Sequence, residues 1–191
     1  MSLVDLIAQA DERGLAASGL ACSDRCLPLL GVDDELLRPL WASLAEGADW
    51  GGSLERARAA LHAAEPAAEE AAQLARRMLD AAPAERTAEA LRPWADACSV
   101  ASLRVHGLLD PAADGADPDG LDAGRAGDTA DLPPLVAAEL RRQAAVLELL
   151  AGHGANGLRG ALEVSVEGRR VLRAVVSRRA RAAEPGSEEG L

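Results

Sequence analysis

Two cysteines four positions apart, Cys22 and Cys26, are the side chains in this sequence that most readily suggest chemistry. On a helix their sulfurs share one face, a turn apart. That spacing can bind a soft metal ion if other ligands converge, or close a strained disulfide. It is not the Cys-x-x-Cys of a redox site. Cys98 stands alone, so no second pair completes a structural zinc site. The competing reading makes all three small hydrophobes on buried helix stripes, the ordinary condition of free cysteine.

His62, His106 and His153 fall on three different segments. Three histidines between helices can hold zinc or iron with one position open to water or substrate. No pair has the i,i+4 spacing of a metal box, and the paired Glu-x-x-His of di-iron bundles is missing. His62, His106, Cys22, Cys26 and Cys98 therefore form the candidate set for a metal or small ligand held in the interior. No cofactor is predicted, and a metal ion is the alternative.

Other patterns carry less. Residues 152–157 spell G-x-G-x-x-G, but a helix precedes them where phosphate binding needs a strand. Asp117, Asp119 and Asp122 around Gly120 resemble a calcium loop only in part. Gly115 and Ala126 occupy the first and last ligand positions. No G-x-S-x-G nucleophile elbow occurs. Arg169, Arg170, Arg173, Arg178 and Arg179 cluster near the C-terminus and are the candidate partner-binding residues. Without a nearby aromatic ring to stack bases, they fit an acidic protein partner, or docking on the chain's own acidic body, better than nucleic acid.

The elements that must position these side chains read as helices. Positions 15, 19, 22, 26 and 29 recur at intervals of three and four, which puts Cys22 and Cys26 inward and Asp24 and Arg25 outward. Gly14 marks a break before this helix, and Pro28 ends or kinks it near Cys26. Asp33, Asp34 and Glu35 are expected to open the next helix, Ser53 to cap the one after it, and Pro66 to start another. Leu91, Trp94, Cys98, Ala101, Val105 and Leu108 make the clearest stripe. Pro133-Pro134 begins a helix through Leu150. Residues 110–132, with seven aspartates, read as a flexible acidic loop. Between 162 and 176 the alternation Leu162-Val164-Val166 before Glu167-Gly168 favours a small β-hairpin, with helix resuming after about Arg169.

Composition agrees with a helical core. The chain has 191 residues, enough for one domain, and lacks Phe, Tyr and Lys. Its net charge of −11 is uneven: residues 1–154 hold 13 arginines against 26 acids, while residues 155–191 hold 7 against 5. No apolar run reaches the roughly 20 residues a membrane span needs, and no leader pattern is seen. A cytoplasmic location with reduced thiols is the expectation.

The sequence thus predicts a mainly α protein, an antiparallel bundle of about six or seven helices with a small C-terminal β-hairpin as an addition. Residues 1–182 form a single domain with an acidic loop at 110–132, and residues 183–191 form a polar tail. The absence of catalytic motifs leans away from an enzyme. The expected role is a non-enzymatic protein-interaction or regulatory module, acting on another protein or by self-association. The alternative is a bundle that binds a small ligand or metal in its interior and acts as an enzyme there.

Overall fold

The computed structural model describes residues 1–47, 49–113 and 117–184. They are mainly helical and contain no strand. Helix α1 (Leu3–Gln9) begins with a capping box between Ser2 and Asp5. Helix α2 (Glu12–Arg25) starts at Asp11, whose carboxylate accepts from the Gly14 amide at 2.7 Å. The break therefore lies at Ala10–Asp11 and not at Gly14, because an aspartate cap is stronger punctuation than a helical glycine. As expected, α2 ends at Cys26, and a 3₁₀ turn over Leu27–Leu29 carries Pro28.

Helix α3 (Arg38–Glu46) starts later than Asp33–Glu35. The Asp33 carboxylate instead accepts from the Glu35 amide, closing a local turn that competes with helix. Pro39 sits in the first turn of α3, where a missing N–H costs nothing. Helix α4 (Trp50–Ala63) is capped by Asp49 rather than Ser53. Helix α5 (Glu70–Asp80) begins four residues beyond Pro66, and α6 (Ala88–Leu109) is capped by Thr87.

The acidic stretch 110–132 is not all loop. Asp117 caps α7 (Pro118–Ala126), which Pro118 starts and Gly127 ends with a φ of +116°. Leu121, Gly124 and Arg125 are its buried side, and three buried positions in nine residues were too few to stand out from the aspartates. The flexible-loop expectation for residues 114–116 lies outside the described residues, as does that for the polar tail over 185–191.

Helix α8 (Pro134–His153) and helix α9 (Leu158–Ala183) complete the fold. The expected hairpin is replaced by continuous helix. Leu158, Ala161, Ser165, Gly168, Leu172 and Val175 are buried at intervals of three and four, and this stripe overrides the short valine alternation. The element order holds more helices than the six or seven expected.

Buried residues of all these helices join one hydrophobic cluster. Helix α2 runs through its middle, in contact with α3, α5, α6, α8 and α9. From Gly14 to Arg25 every residue of α2 is buried. A helix enclosed on all sides has no outward face, so Asp24 and Arg25 are buried as well, contrary to the stripe reading. Small residues allow this close packing. The Trp94 ring lies directly over Gly19, where a Cβ would overlap it. Trp94 in turn meets Trp50 edge to face at 6.2 Å.

Arginines close helix ends around the core. Arg92 donates to the carbonyls of Ile7, Ala8 and Ala10 at the end of α1. Arg58 does the same for Leu79 and Asp80 at the end of α5 and for Ala82 just beyond it. Both add donors to carbonyls at and just beyond the last helical turn and place positive charge at the negative end of a helix.

Candidate functional site

At the centre of the protein Arg25 of α2 meets Glu139 of α8. Arg25 Nε donates to Glu139 Oε2 and Nη2 to Oε1, both at 2.7 Å, and neither side chain has any exposure. Two more donors reach Glu139 Oε1: Ser102 Oγ of α6 at 2.7 Å and Gln143 Nε2 of α8 at 2.9 Å. Gln143 Oε1 accepts from Ser99 Oγ at 2.7 Å, and Arg125 Nε of α7 donates to the same Ser99 hydroxyl at 3.1 Å. Arg125 also pairs with Asp96. The network thus runs from α2 through α8 and α6 to α7.

His106 of α6 stands beside it. Its Nδ1 lies 2.7 Å from the Ser102 carbonyl, which can only accept, so Nδ1 carries the proton. Nε2 is 3.5 Å from Glu139 Oε2. Burial lowers the His106 pKa, against the upward pull of Glu139, and the ring is neutral in the folded protein near pH 7. Burial works to raise Glu139, but Arg25 and the hydrogen bonds from Arg25 and Gln143, joined by His106 when its ring is protonated, outweigh it and hold the carboxyl at about 2.

Such a carboxylate is a poor general base, because its charge is neutralised and its oxygens already accept hydrogen bonds. Arg25, Glu139 and His106 also line none of the four principal surface hollows. Among the described residues, Arg25 Nη1 is buried without a hydrogen-bond partner.

The cysteine candidates border this network. Cys22 Sγ is 3.6 Å from Arg25 Nη2, and Cys26 Sγ is 3.9 Å from Ser102 Oγ. Burial pushes the Cys22 thiol up to about 12 and also raises Cys26 and Cys98. All three are therefore protonated near neutrality and poor nucleophiles. His62 is far from them, on the surface, with Nε2 2.7 Å from Asp80 Oδ1. The structure thus gathers Cys22, Cys26, Cys98 and His106 in the core and leaves His62 apart. Among the described residues no three His, Cys, Asp or Glu side chains are arranged to hold a metal ion.

Sequence reading missed Arg25, Glu139, Gln143, Ser99 and Ser102. Their register was visible: Glu139 and Gln143 lie i,i+4 beside Leu140 and Leu147, and Ser99, Ser102 and His106 run along the Cys98–Val105 stripe. Polar residues in phase with apolar stripes on two helices are the signal of a buried network.

The C-terminal arginines divide into two groups. Arg169 pairs with buried Asp24, whose other oxygen accepts from Trp41 Nε1 at 2.9 Å. Arg173 pairs with Asp34, donating from Nη1 to Oδ2 at 2.8 Å. These two fasten α9 to α2 and to the segment before α3. Arg170, Arg178 and Arg179 are exposed. Among the described residues none of the three forms an ion pair. Arg178 Nε reaches only the Ala174 carbonyl, at 3.3 Å, and Arg179 Nη1 the Leu108 carbonyl, at 3.4 Å. Arg178 and Arg179 line an open groove of about 470 Å³ between the ends of α6 and α9 and the start of α8, with Leu109, Leu135 and Val175 among its apolar walls.

Among the described residues no helix is long and apolar enough to cross a membrane. The chain matches no protein-family model, and no curated protein or solved structure is significantly similar to it.

Proposed function

We propose that this chain is a non-enzymatic protein-interaction or regulatory module, built as an antiparallel helical bundle and working in the cytoplasm. One observation carries the reading. The side chains with the chemistry of a catalytic centre, Glu139, His106 and the thiols, are sealed in the core, and the carboxylate there is matched by Arg25. What the surface offers instead is charge and shape: arginines without ion-pair partners among the described residues, beside an open apolar groove. An interior metal or ligand site would need the sealed centre to open and Arg25 to leave Glu139, and breaking such a pair is costly.

The test uses the purified full chain and cells that produce it. Cross-linking followed by mass spectrometry is expected to return a recurrent protein partner or a second copy of the chain, and incubation with a metabolite extract is expected to leave every metabolite unchanged. Consumption of a metabolite, with no recurrent cross-linked partner, would overturn the reading.

A further inference from the structure

We infer that the groove between α6, α8 and α9 is a docking site for an amphipathic helical segment of another protein, with an aliphatic face and acidic residues along one flank. This rests on the interaction reading above and names the surface and the partner chemistry.

Asp110 is the acid on the groove's wall, and both its oxygens are occupied. Oδ1 accepts from the Ala112 amide at 2.8 Å and Oδ2 from the Leu135 amide at 2.7 Å. That carboxylate therefore caps the start of α8 and is buried. The exposed charges on the rim are Arg178 and Arg179, which make no ion pair among the described residues. Arg169 and Arg173 are matched by Asp24 and Asp34, but from Gly168 to Ala183 α9 also carries Arg170, Arg178, Arg179 and Arg181 and no acid. The floor is apolar, formed by Leu109, Pro134, Leu135 and Val175. A polar small molecule would find few donors or acceptors there, whereas aliphatic side chains at i, i+3 and i+4 of a helix suit such a floor.

The hollow on the other side of Ala112 is lined by Asp117, Asp128 and Asp131 and repels acids. A bound helix is thereby oriented, its acidic flank toward Arg178 and Arg179 and its apolar face inward. The net charge of −11 does not prevent this, since repulsion from the distant acids is screened beyond about 8 Å at physiological salt.

The probe is a fluorescein-labelled, 16-residue designed helix with leucines on one face and glutamates on one flank. Its twin has every glutamate replaced by lysine. Anisotropy titration of the full chain is expected to show at least tenfold tighter binding of the glutamate peptide. That binding should weaken about tenfold in Arg178→Glu/Arg179→Glu, weaken on Leu135→Gln, and fall with added salt. Both surface variants should keep the wild-type helical circular dichroism. NMR shifts should map to Leu109, Leu135 and Val175.

Equal binding of the two peptides, or no binding, would overturn the proposal. Shifts that map to another face would also overturn the groove assignment while leaving the interaction reading intact. A tenfold gain in peptide affinity on removal of residues 185–191 would make the chain's own acidic end the occupant, and a concentration-dependent dimer abolished by Arg178→Glu would make it a second copy. Either result replaces the partner proposed here.

Discussion

Arg25 and Glu139, 114 residues apart in sequence, form a two-pronged ion pair at 2.7 Å with no exposure on either side chain. Taking two charges out of water is expensive, and here the return comes from geometry and from the extra donors Ser102 and Gln143. The pair links α2, the enclosed helix, to α8 and so fixes which faces of the two helices meet. Gly168 of α9 makes room for it, since a Cβ there would overlap the Arg25 side chain.

Breaking one partner leaves the other charge buried alone. Glu139→Gln is expected to destabilise the protein by about 3–5 kcal/mol, the usual cost of stranding a buried charge. Arg25→Met should cost a similar amount. The double variant Arg25→Met/Glu139→Gln is expected to cost clearly less than the two single changes together, because it leaves neither charge unpaired. Urea unfolding of the four proteins measures the coupling. Simple additivity would show that the two residues do not act as a unit.

The same centre sets a pH dependence. His106 has a folded pKa below its ordinary 6.5, chiefly through burial, with Arg25 and Arg142 also lowering it and Glu139 raising it. The unfolded chain therefore takes up this proton first as pH falls. Stability should drop below about pH 6.5 with a slope of at most about 1.4 kcal/mol per pH unit from this group. Glu139 acts in a lower window: its stabilisation is complete above 4.5 and is lost as pH falls toward about 2. Asp24 works in the opposite sense. Burial raises its pKa from 3.8, so it favours the folded state on acidification just above that value. Urea midpoints at pH 7.5 and 5.5 should fall for the wild type and change less for His106→Gln. Equal falls in both proteins would remove His106 as the source.

The helical class and most helix centres were legible because periodic leucines report burial directly. Of the stripe Leu91–Leu108, Leu91, Trp94, Cys98 and Val105 are buried in α6 and Ala101 and Leu108 half-buried against the same core, and Pro133-Pro134 marked the start of α8. What the periodicity could not convey was enclosure. Asp24 and Arg25 look outward only on the assumption that a helix has a wet side, and α2 has none. Its run of Ala16, Ala17, Ser18, Gly19 and Ala21 was the available sign, since small residues all round permit neighbours on every side. Of the candidate set, Cys22, Cys26, Cys98 and His106 are buried and His62 is exposed, while Arg25 and Glu139 are brought together by tertiary packing alone. The valine-rich segment erred differently. Three alternating residues outweighed a longer stripe whose key members, Ala161, Ser165 and Gly168, are not hydrophobic enough to be noticed.

Gly19 and Gly152 provide a contrast within one residue type. A methyl group at Gly19 would enter the Trp94 ring, whose Nε1 is tied to the Met78 carbonyl at 2.8 Å and cannot easily move. Gly19→Ala is expected to cost about 1–3 kcal/mol or more by overpacking. At Gly152, in the last turn of α8, nothing lies within 4 Å of an added Cβ. Gly152→Ala should be neutral or stabilise by up to about 1 kcal/mol through helix propensity. Thermal unfolding followed by circular dichroism distinguishes the two, and a Gly19→Ala protein as stable as wild type would show that α2 and α6 are less closely packed than described.

Arg169 and Arg173, one helical turn apart on α9, differ in what surrounds them. Arg169 is 9% exposed at its side chain and its partner Asp24 is 3% exposed. Arg173 and its partner Asp34 are 46% and 37% exposed, so water screens that pair. Arg173→Ala is therefore expected to cost less than about 1 kcal/mol. Arg169→Ala strands Asp24 in the core and should cost about 3 kcal/mol or more. It should also change Trp41, whose indole N–H donates to the same carboxylate, so the tryptophan emission of the folded variant should shift while that of Arg173→Ala does not. Asp24→Asn in the Arg169→Ala background is expected to recover part of the stability, because a neutral amide can still accept from Trp41 without carrying an uncompensated charge. If Arg173→Ala proved the costlier change, the seam would be held from its wet end, and the account of α9 fastened through Asp24 would fail.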